Sequence, residues 1–147
     1  MTVAIASDHA AYGFKTKIIA HLTASGFKCE DFGTAKGVTA SDYPDYALPV
    51  AKSVASGEYL FGVLICGTGI GMSIAANKIK GIRAAVCGDI FSAKATREHN
   101  DANILCLGER VISEKLALEI VDIFLSTRFS NEERHLRRIR KIVSTEL

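Results

Sequence analysis

The sequence predicts a three-layer α/β/α sandwich with a five-stranded parallel sheet, in a Rossmann-like arrangement. Apolar runs of strand length alternate along the chain with stretches of helical period. Two of the runs are almost continuously apolar, as expected for strands that helices cover on both faces. The chain has 147 residues, of which 48% are apolar and 23% charged, and this length fits one domain. We therefore expect a single domain over residues 1–147.

Five segments are the predicted strands. Each is short and apolar, and helical stretches separate them: residues 3–7, 27–31, 59–66, 83–87 and 104–107. Strands that alternate with helices form parallel sheets, because each helical crossover returns the chain to the same edge. The residues just after the strands then meet at one edge, where open α/β sheets bind their ligands.

The first two helices carry boundary signals in the sequence. Gly26 is the expected end of the first helix. Asp42 and Pro44 should start the second helix and Gly57 should end it. Pro49 lies inside this second segment, where it either kinks the helix or marks its true start.

A last helix is predicted over about residues 130–146. Ser130 and Glu133 have the spacing of a capping box at its start. Arg134 and Arg138 are four residues apart and share one face of this helix, away from its apolar side. This face is either an ordinary solvated surface or a site for phosphate oxygens, which guanidinium groups bind in bidentate fashion.

The apolar side of the same helix should face the protein. It contains Leu136, Ile139 and Val143. Residues 128–141 hold six basic and two acidic residues, within a chain whose net charge is only +2. Nucleic-acid surfaces are usually broader and interleaved with aromatic residues, but this segment has only Phe129. A small anionic ligand fits the cluster better, and we expect no nucleic-acid partner.

The sequence shows neither a membrane-spanning segment nor a signal peptide, and this bears on where the protein is located. No apolar window reaches the roughly 18–20 residues that span a bilayer, and the first residues do not resemble a signal peptide. We therefore expect a cytoplasmic protein without a membrane partner.

The four cysteines are far apart, which favours neither a zinc site nor a disulfide framework.

A glycine-rich loop follows the third predicted strand, at residues 66–71. Its three glycines let backbone N–H groups converge on an anion near a helix N-terminus. A Walker loop would need Lys and then Ser or Thr after the last glycine, but Met72 and Ser73 stand there. A phosphotyrosine-type phosphatase would need Arg where Met72 stands.

A dinucleotide-binding site is the closer competitor for this loop. Gly67 and Gly69 fit the first two glycines of its fingerprint, and Asp89 lies about 20 residues further on, where an acid for the ribose is expected. The third glycine would fall at Met72. The loop also lies mid-chain, which leaves little sequence for a substrate domain.

Cys66 starts the loop and faces the positive end of the following helix dipole, which favours a thiolate. It could equally be a small buried residue that closes a strand, because free cysteine is often buried. Cys29, Cys87 and Cys106 lie within strands without such a loop, and for them we expect packing roles.

Two histidines follow predicted elements at loop positions. His9 comes after Asp8, and His99 precedes Asn100, whereas His21 lies mid-helix and is expected to be structural. Each of the first two could simply cap a helix or lie in solvent. With the loop thiol they could perform acid–base chemistry, and no spacing resembles a metal-ligand set.

Taken together, the chain closely resembles the type B ribose-5-phosphate isomerases. Their family also holds galactose-6-phosphate isomerase subunits and allose-6-phosphate isomerases. The resemblance runs essentially end to end. Seven segments carry it: Ser7-Asp8-His9, Ser41-Asp42-Tyr43-Pro44-Asp45-Tyr46, Ile65-Cys66-Gly67-Thr68-Gly69-Ile70-Gly71, Ala75-Ala76-Asn77-Lys78, Gly81-Ile82-Arg83-Ala84, Glu98-His99-Asn100-Asp101-Ala102-Asn103 and Arg134-His135-x-x-Arg138.

The resemblance implies an enzyme that interconverts D-ribose 5-phosphate and D-ribulose 5-phosphate through an enediolate, without metal or cofactor. It implies that His99 assists opening of the furanose ring and that Cys66 moves a proton between C2 and C1. The loop with Thr68 would stabilise the developing negative charge. The implied substrate-binding residues are Asp8, His9, Tyr43, Gly67, Gly69, Ile70, Gly71, Asn100, Arg110, Arg134 and Arg138.

The resemblance also implies a shared site. Some family members lack the cysteine and use a glutamate at the position of Met72, so this chain resembles the cysteine branch. The family builds each site between two subunits, which implies a homodimer or a dimer of dimers with the last helix packed toward a second subunit. A six-carbon sugar-phosphate isomerase and, more distantly, a dinucleotide-binding regulatory domain stay open as alternatives.

Overall fold

Five parallel strands form one sheet in this computed structural model, which describes residues 1–147. All four neighbouring strand pairs are parallel. The predicted strands are therefore confirmed, and the second, third and fourth are shorter than predicted. In chain order they are β1 Thr2–Ser7, β2 Lys28–Asp31, β3 Phe61–Cys66, β4 Ala84–Val86 and β5 Ile104–Gly108, and their order in the sheet is β2-β1-β3-β5-β4.

Helices cover both faces of the sheet and complete the predicted three layers. One buried cluster lies between the sheet and α1, α4 and α5, and a second lies between the sheet and α2 and α3. None of the helices is both long and apolar enough to cross a membrane. After a short 3-10 helix at His9–Ala11, the helices are α1 Tyr12–Ala24, α2 Pro44–Ala55, α3 Ile70–Ala76, α4 Ile90–Asn100, α5 Glu114–Ser126 and α6 Glu133–Val143.

The ends of α1 and α2 follow the sequence signals. Gly26 and Gly57 come just after the two helices with φ values of 91° and 81°, the left-handed conformation that glycine adopts without a steric penalty. Pro44 is the first residue of α2, where its missing N–H is not needed. The helix continues through Pro49, so this second proline does not mark its start.

The capping box predicted for the last helix is wrong. α6 begins at Glu133, and its N-cap is Glu132, which makes no side-chain capping bond. Asn131 has a left-handed φ of 59°, so the chain turns before the helix begins. Ser130 Oγ accepts the N–H of Glu132 at 3.4 Å within this turn, and it therefore does not cap α6.

Most of the surface of α6 is exposed. The helix packs against α4 through its first turns, where His135 is buried and Leu136 and Ile139 are half-buried. Val143 shares the apolar side but stays 39% exposed. The apolar side of the last turn is therefore largely uncovered in a single chain.

Small residues allow α2 to pack close to the sheet. Ala4 and Ala6 of β1 face α2 and α3, while Val3 and Ile5 face the opposite cluster. Gly62 of β3 lies directly under α2, since a Cβ added there would lie 2.8 Å from a methyl carbon of the Val50 side chain. This close approach of α2 to β3 leaves no room for a side chain at position 62.

Gly62→Ala should lower the free energy of unfolding by about 1–3 kcal/mol, the usual cost of overpacking a core. Urea denaturation measures this change. Gly13→Ala is the matched control, because a Cβ at this position in α1 meets nothing within 4 Å. The control should leave stability unchanged or raise it slightly through helix propensity. Equal losses in both variants would contradict the packing explanation.

Candidate active site

The carboxyl ends of β1 and β3 form the switch point of the sheet. The chain passes from β1 to β2 on one side and to β3 on the other, so a crevice opens between the strand ends there. Asp8 and His9 follow β1, and Cys66 is the last residue of β3. Arg110 comes just after β5, the next strand along. These predicted site residues therefore share one edge.

The Cys66 thiol is held by the glycine loop. Its Sγ accepts the N–H of Gly69 at 3.1 Å, and the residue is only 5% exposed. This hydrogen bond fixes the sulfur atom against the glycine loop at the end of β3. Gly69 has a φ of 78°, and a Cβ there would lie 2.9 Å from the carbonyl carbon of Leu107. The turn that presents this donor therefore requires glycine.

The other three cysteines have packing roles that differ from that of Cys66. Burial raises the pKa of Cys87 to about 11. Burial also raises the pKa values of Cys106 and Cys29. These groups are thiols at neutral pH, whereas Cys66 alone among the four accepts a backbone N–H at its sulfur.

Two larger side chains lie directly on the glycine loop. The ring of Tyr43 covers Gly71, where an added Cβ would lie 2.5 Å from the ring carbon Cζ. The guanidinium of Arg110 lies beside Gly67, with Nη1 3.2 Å from the position of an added Cβ. An aromatic hydroxyl and a permanent positive charge therefore flank the loop that holds the thiol.

Thr68 lies exposed between these glycines. Its Oγ1 accepts the N–H of Ile70 at 3.2 Å. Gly108 allows β5 to pass underneath, since a Cβ there would lie 2.6 Å from the Thr68 carbonyl oxygen. The Thr68 hydroxyl is accessible from solvent at the same edge as Cys66.

His99 and Asn100 lie at the opposite edge of the sheet. α4 starts after the carboxyl end of β4 and runs back, so its last turn reaches the amino ends of the strands. Asn103, just after the helix, confirms this position: its carbonyl accepts the N–H of Gly62, and its N–H donates to the carbonyl of Arg83. One chain therefore does not bring His99 to its own Cys66.

Ion pairs hold the end of α4 in place. Asp101 has a left-handed φ of 46° and stops the helix directly after Asn100. Its carboxylate binds Arg97 Nη1 at 2.8 Å and Arg83 Nη2 at 3.3 Å. The Arg97 guanidinium also lies 4.7 Å from the ring centre of Phe61, a cation–π contact. These contacts therefore hold the last turn of α4 in a fixed position.

His99 stacks on a buried histidine of α6. Its ring centre lies 4.3 Å from that of His135, with an interplanar angle of 14°. His135 Nε2 is buried without a hydrogen-bond partner. Burial lowers the pKa of His135, and the neighbouring His99 and Arg134 lower it further. These effects favour the neutral form of the His135 ring.

The two predicted phosphate-binding arginines of α6 also lie far from the glycine loop. Both ends of the α6 segment are tied to the amino edge, through Ser130 N–H to the Glu98 carbonyl and through Gly81 N–H to Glu146 Oε1. Arg134 and Arg138 are exposed there, and Arg134 Nε donates to Glu132 Oε2 at 2.9 Å. The predicted site residues of a single chain therefore fall into two groups, one at each edge of the sheet.

The cavities agree with this division. The largest, about 470 Å³, lies at the amino edge between β4, α4 and α6, and Arg83, Asn100 and Ile142 contribute to its walls. Cys66 and the residues of the glycine loop line none of the three cavities. No group of three or more His, Cys, Asp or Glu could hold a metal ion.

Asp89, the acid that a dinucleotide site would use, caps α4 instead. Its Oδ1 accepts the N–H of Ser92 at 2.7 Å, and its Oδ2 accepts the Ser92 hydroxyl at 3.0 Å. These bonds lower the pKa of Asp89. The carboxylate therefore already has a structural role at the helix N-terminus.

A family model described as Ribose/Galactose Isomerase matches residues 3–142. The chain belongs to this family. The resemblance seen in the sequence is therefore confirmed, and so is the prediction of an isomerase with this fold. The distant alternative of a dinucleotide-binding regulatory domain is not supported.

Relatives and solved structures agree along the whole chain. Ribose-5-phosphate isomerase B of Escherichia coli is 45% identical over 144 residues, which cover 98% of this chain and 95% of the relative. The structure of Clostridium thermocellum ribose-5-phosphate isomerase B has a TM-score of 0.96 at 51% identity, covering 99% of this chain and 97% of the other. The Mycoplasma genitalium enzyme, solved with bound ribulose 5-phosphate, has a TM-score of 0.94 at 40% identity, covering 99% and 95%.

Sequence reasoning missed two residues beside the candidate site. Ser41 makes three hydrogen bonds with His9. His135 supports the ring of His99. Both stand inside segments that carry the resemblance, but nothing in their spacing indicates a contact with a histidine distant in sequence.

The stability of the protein should decrease as the pH falls, because of His135. A histidine whose folded pKa is lowered takes up a proton more readily when unfolded, so its stabilising contribution is complete above its ordinary pKa of 6.5 and is lost as pH falls below it. We expect His135→Phe, which keeps an aromatic ring against His99, to show a smaller drop in Tm than the wild type between about pH 7.5 and 5.5. Parallel Tm–pH curves would contradict this assignment.

Proposed function

We propose that this chain interconverts D-ribose 5-phosphate and D-ribulose 5-phosphate. The observation that carries the proposal is the Cys66 thiol, which lies at the switch point of the sheet and accepts the N–H of Gly69. Membership of the isomerase family and the relative solved with ribulose 5-phosphate support this substrate over a six-carbon sugar phosphate.

In the proposed reaction, Cys66 removes the proton from C2 of the open-chain aldose as a thiolate. The electrons of that C–H bond form the C1–C2 double bond of an enediolate. The thiol then returns the proton to C1, while O1 gains a proton and O2 loses one, which leaves a ketone at C2. The Thr68 hydroxyl and those N–H groups of residues 67–71 that are not bound within the loop, as the N–H groups of Gly69 and Ile70 are, stabilise the negative charge that develops on the substrate oxygens.

His99 has the proposed role of opening the furanose ring. Ring opening needs a proton removed from the O1 hydroxyl and one delivered to the ring oxygen, which a neutral imidazole can mediate. Asn100, the next residue, would bind the sugar hydroxyls. Both come from a rigid helix end, which suits a group that must be placed accurately.

The phosphate of the substrate would be bound by positive charge from both edges of the sheet. Arg110 lies beside the glycine loop, and Arg134 and Arg138 lie exposed on α6. Guanidinium groups match phosphate oxygens in bidentate geometry. His9 and Tyr43 complete the proposed set at the carboxyl edge, with Asp8, Gly67, Gly69, Ile70 and Gly71 along the bound sugar.

A complete site would then require two copies of the chain, as a homodimer or a dimer of dimers. The division of the site residues between opposite edges supports this, since neither group has both Cys66 and His99. Exposed apolar side chains near the carboxyl edge could be covered by a second copy: Phe91 is 80% exposed, Ile74 57% and Ile70 54%. A two-fold axis would pair each glycine loop with the α4 end of the other copy.

A cytoplasmic location of the protein stays a prediction.

Cys66→Ser should lower kcat by roughly 10²–10⁴-fold, the usual contribution of a positioned acid–base group. A coupled assay with five- and six-carbon aldose phosphates measures this, and a chelator in the buffer should leave wild-type activity unchanged. Cys29→Ser is the matched control, because that thiol lies half-buried in β2 away from the loop. Full turnover by Cys66→Ser would exclude Cys66 as the base.

His99→Asn should slow the cyclic substrate much more than an open-chain analogue, because only the cyclic form needs ring opening. Steady-state kinetics on both substrates separate the two steps. Equal slowing of both would contradict the ring-opening role.

Mixed dimers test the shared site directly. Co-expressed Cys66→Ser and His99→Asn chains should recover roughly a quarter of wild-type activity, because half of randomly paired dimers are mixed and each mixed dimer has one intact site. Activity no higher than the average of the two variants alone would show that each site comes from one chain.

A further inference from the structure

Ser41 contacts His9 through both its side chain and its backbone. The Ser41 Oγ accepts the backbone N–H of His9 at 3.0 Å. The same Oγ lies 3.0 Å from His9 Nδ1, and the backbone N–H of Ser41 donates to Nδ1 at 3.0 Å. One residue, 32 positions away in sequence, therefore contacts both the backbone and the ring of His9.

These contacts determine where the hydrogen atoms lie. The backbone N–H of Ser41 can only donate, so Nδ1 accepts it with its single lone pair and cannot carry a proton. Ser41 Oγ, which accepts the N–H of His9, lies against the same side of the ring. The neutral ring then carries its proton on Nε2, which makes no hydrogen bond within the chain and lies on a half-buried side chain at the carboxyl edge.

We propose that Ser41 is a positioning residue for substrate binding, which fixes His9 as a hydrogen-bond donor through Nε2. A donor at this point of the crevice binds an acceptor oxygen of the sugar phosphate, and it does so without a change of tautomer. The inference rests on the proposed function, in which His9 contacts the substrate.

The surrounding chain is built to hold Ser41 in place. The segment that contains it leads directly into α2, whose first turn is closed by the N–H of Asp45 donating to the Asp42 carbonyl at 3.1 Å. At its other end, the fully buried Lys15 donates to the Thr34 carbonyl, and Tyr46 Oη donates to Thr34 Oγ1 at 3.2 Å. The loop is therefore anchored on both sides of Ser41.

His9 is fixed from its own side as well. Asp8 Oδ1 caps the short 3-10 helix by accepting the N–H of Ala10 at 3.1 Å, and the N–H of Asp8 donates to the Ile65 carbonyl at 3.2 Å. The backbone of His9 therefore follows β1 and β3 rigidly. What remains free is the rotation of its ring, and this is the motion that Ser41 stops.

Ser41→Ala keeps the backbone N–H but removes Oγ, which contacts both the backbone and the ring of His9, so the ring is held less firmly. We expect KM for ribose 5-phosphate to rise about 5- to 20-fold while kcat changes less than about 3-fold, because lost uniform binding appears in KM. Ser41→Thr keeps the hydroxyl and the N–H and should restore KM to within about 3-fold of wild type. Ser56→Ala is the control, since it removes a serine hydroxyl at the far end of α2, where Oγ donates to the Ser53 carbonyl. It should leave both constants unchanged.

A double-mutant cycle separates positioning from a merely structural role. If Ser41 acts through His9, then adding Ser41→Ala to His9→Asn should not raise KM further. Equal multiplicative effects in both backgrounds would overturn the proposal, even if Ser41→Ala alone weakened binding.

A measurement without turnover keeps the test independent of the proposed function. In ¹⁵N-resolved NMR spectra of the wild-type protein at about pH 8, where an ordinary imidazole is neutral, the His9 ring should show a protonated Nε2 and a bare Nδ1. A proton on Nδ1 would overturn the inference whatever the activity. Absence of isomerase activity with the expected ring signals would instead count against the proposed function.

Discussion

The direction of the strands determines how this molecule can arrange its chemistry. In a parallel sheet every strand ends at the same edge, so residues just after the strands meet there, while each crossover helix must end at the opposite edge. Cys66 is the last residue of β3 and lies at the carboxyl edge. His99 is near the end of the crossover helix α4 and lies at the opposite edge. The chain cannot place both at one edge without a different connection between β4 and β5. Division of the candidate site is thus a property of the topology.

Close backbone contact is the second constraint, and it acts at the carboxyl edge. Gly69 and Gly108 lie against the backbone of neighbouring segments, and Gly71 lies under the ring of Tyr43. These contacts bring loop N–H groups toward a sulfur atom and put an aromatic wall over them. Side chains at these three positions would separate layers that must touch, so the loop chemistry and the packing of β5 depend on the same glycines.

Much of this could be predicted from the sequence, because the signals involved are local. The strands, the ends of α1 and α2 and the glycine loop follow from apolar runs and from glycine and proline at turns. The capping box at Ser130 failed because a left-handed Asn131 turned the chain before the helix began. The contacts of Ser41 with His9 and of His135 with His99 join distant segments, and no periodicity carries that information.

Asp101 bears on association as well as on folding. It ends α4 in a left-handed turn and binds two arginines, one of which lies on the aromatic core. A helix end held in this way has already lost its conformational freedom during folding. A second molecule that docks on it does not bear that entropic cost again, and ordering a side chain at an interface otherwise costs about 0.5–1.5 kcal/mol each. In the proposed dimer, the ion pairs of Asp101 would therefore lower the entropic cost of association.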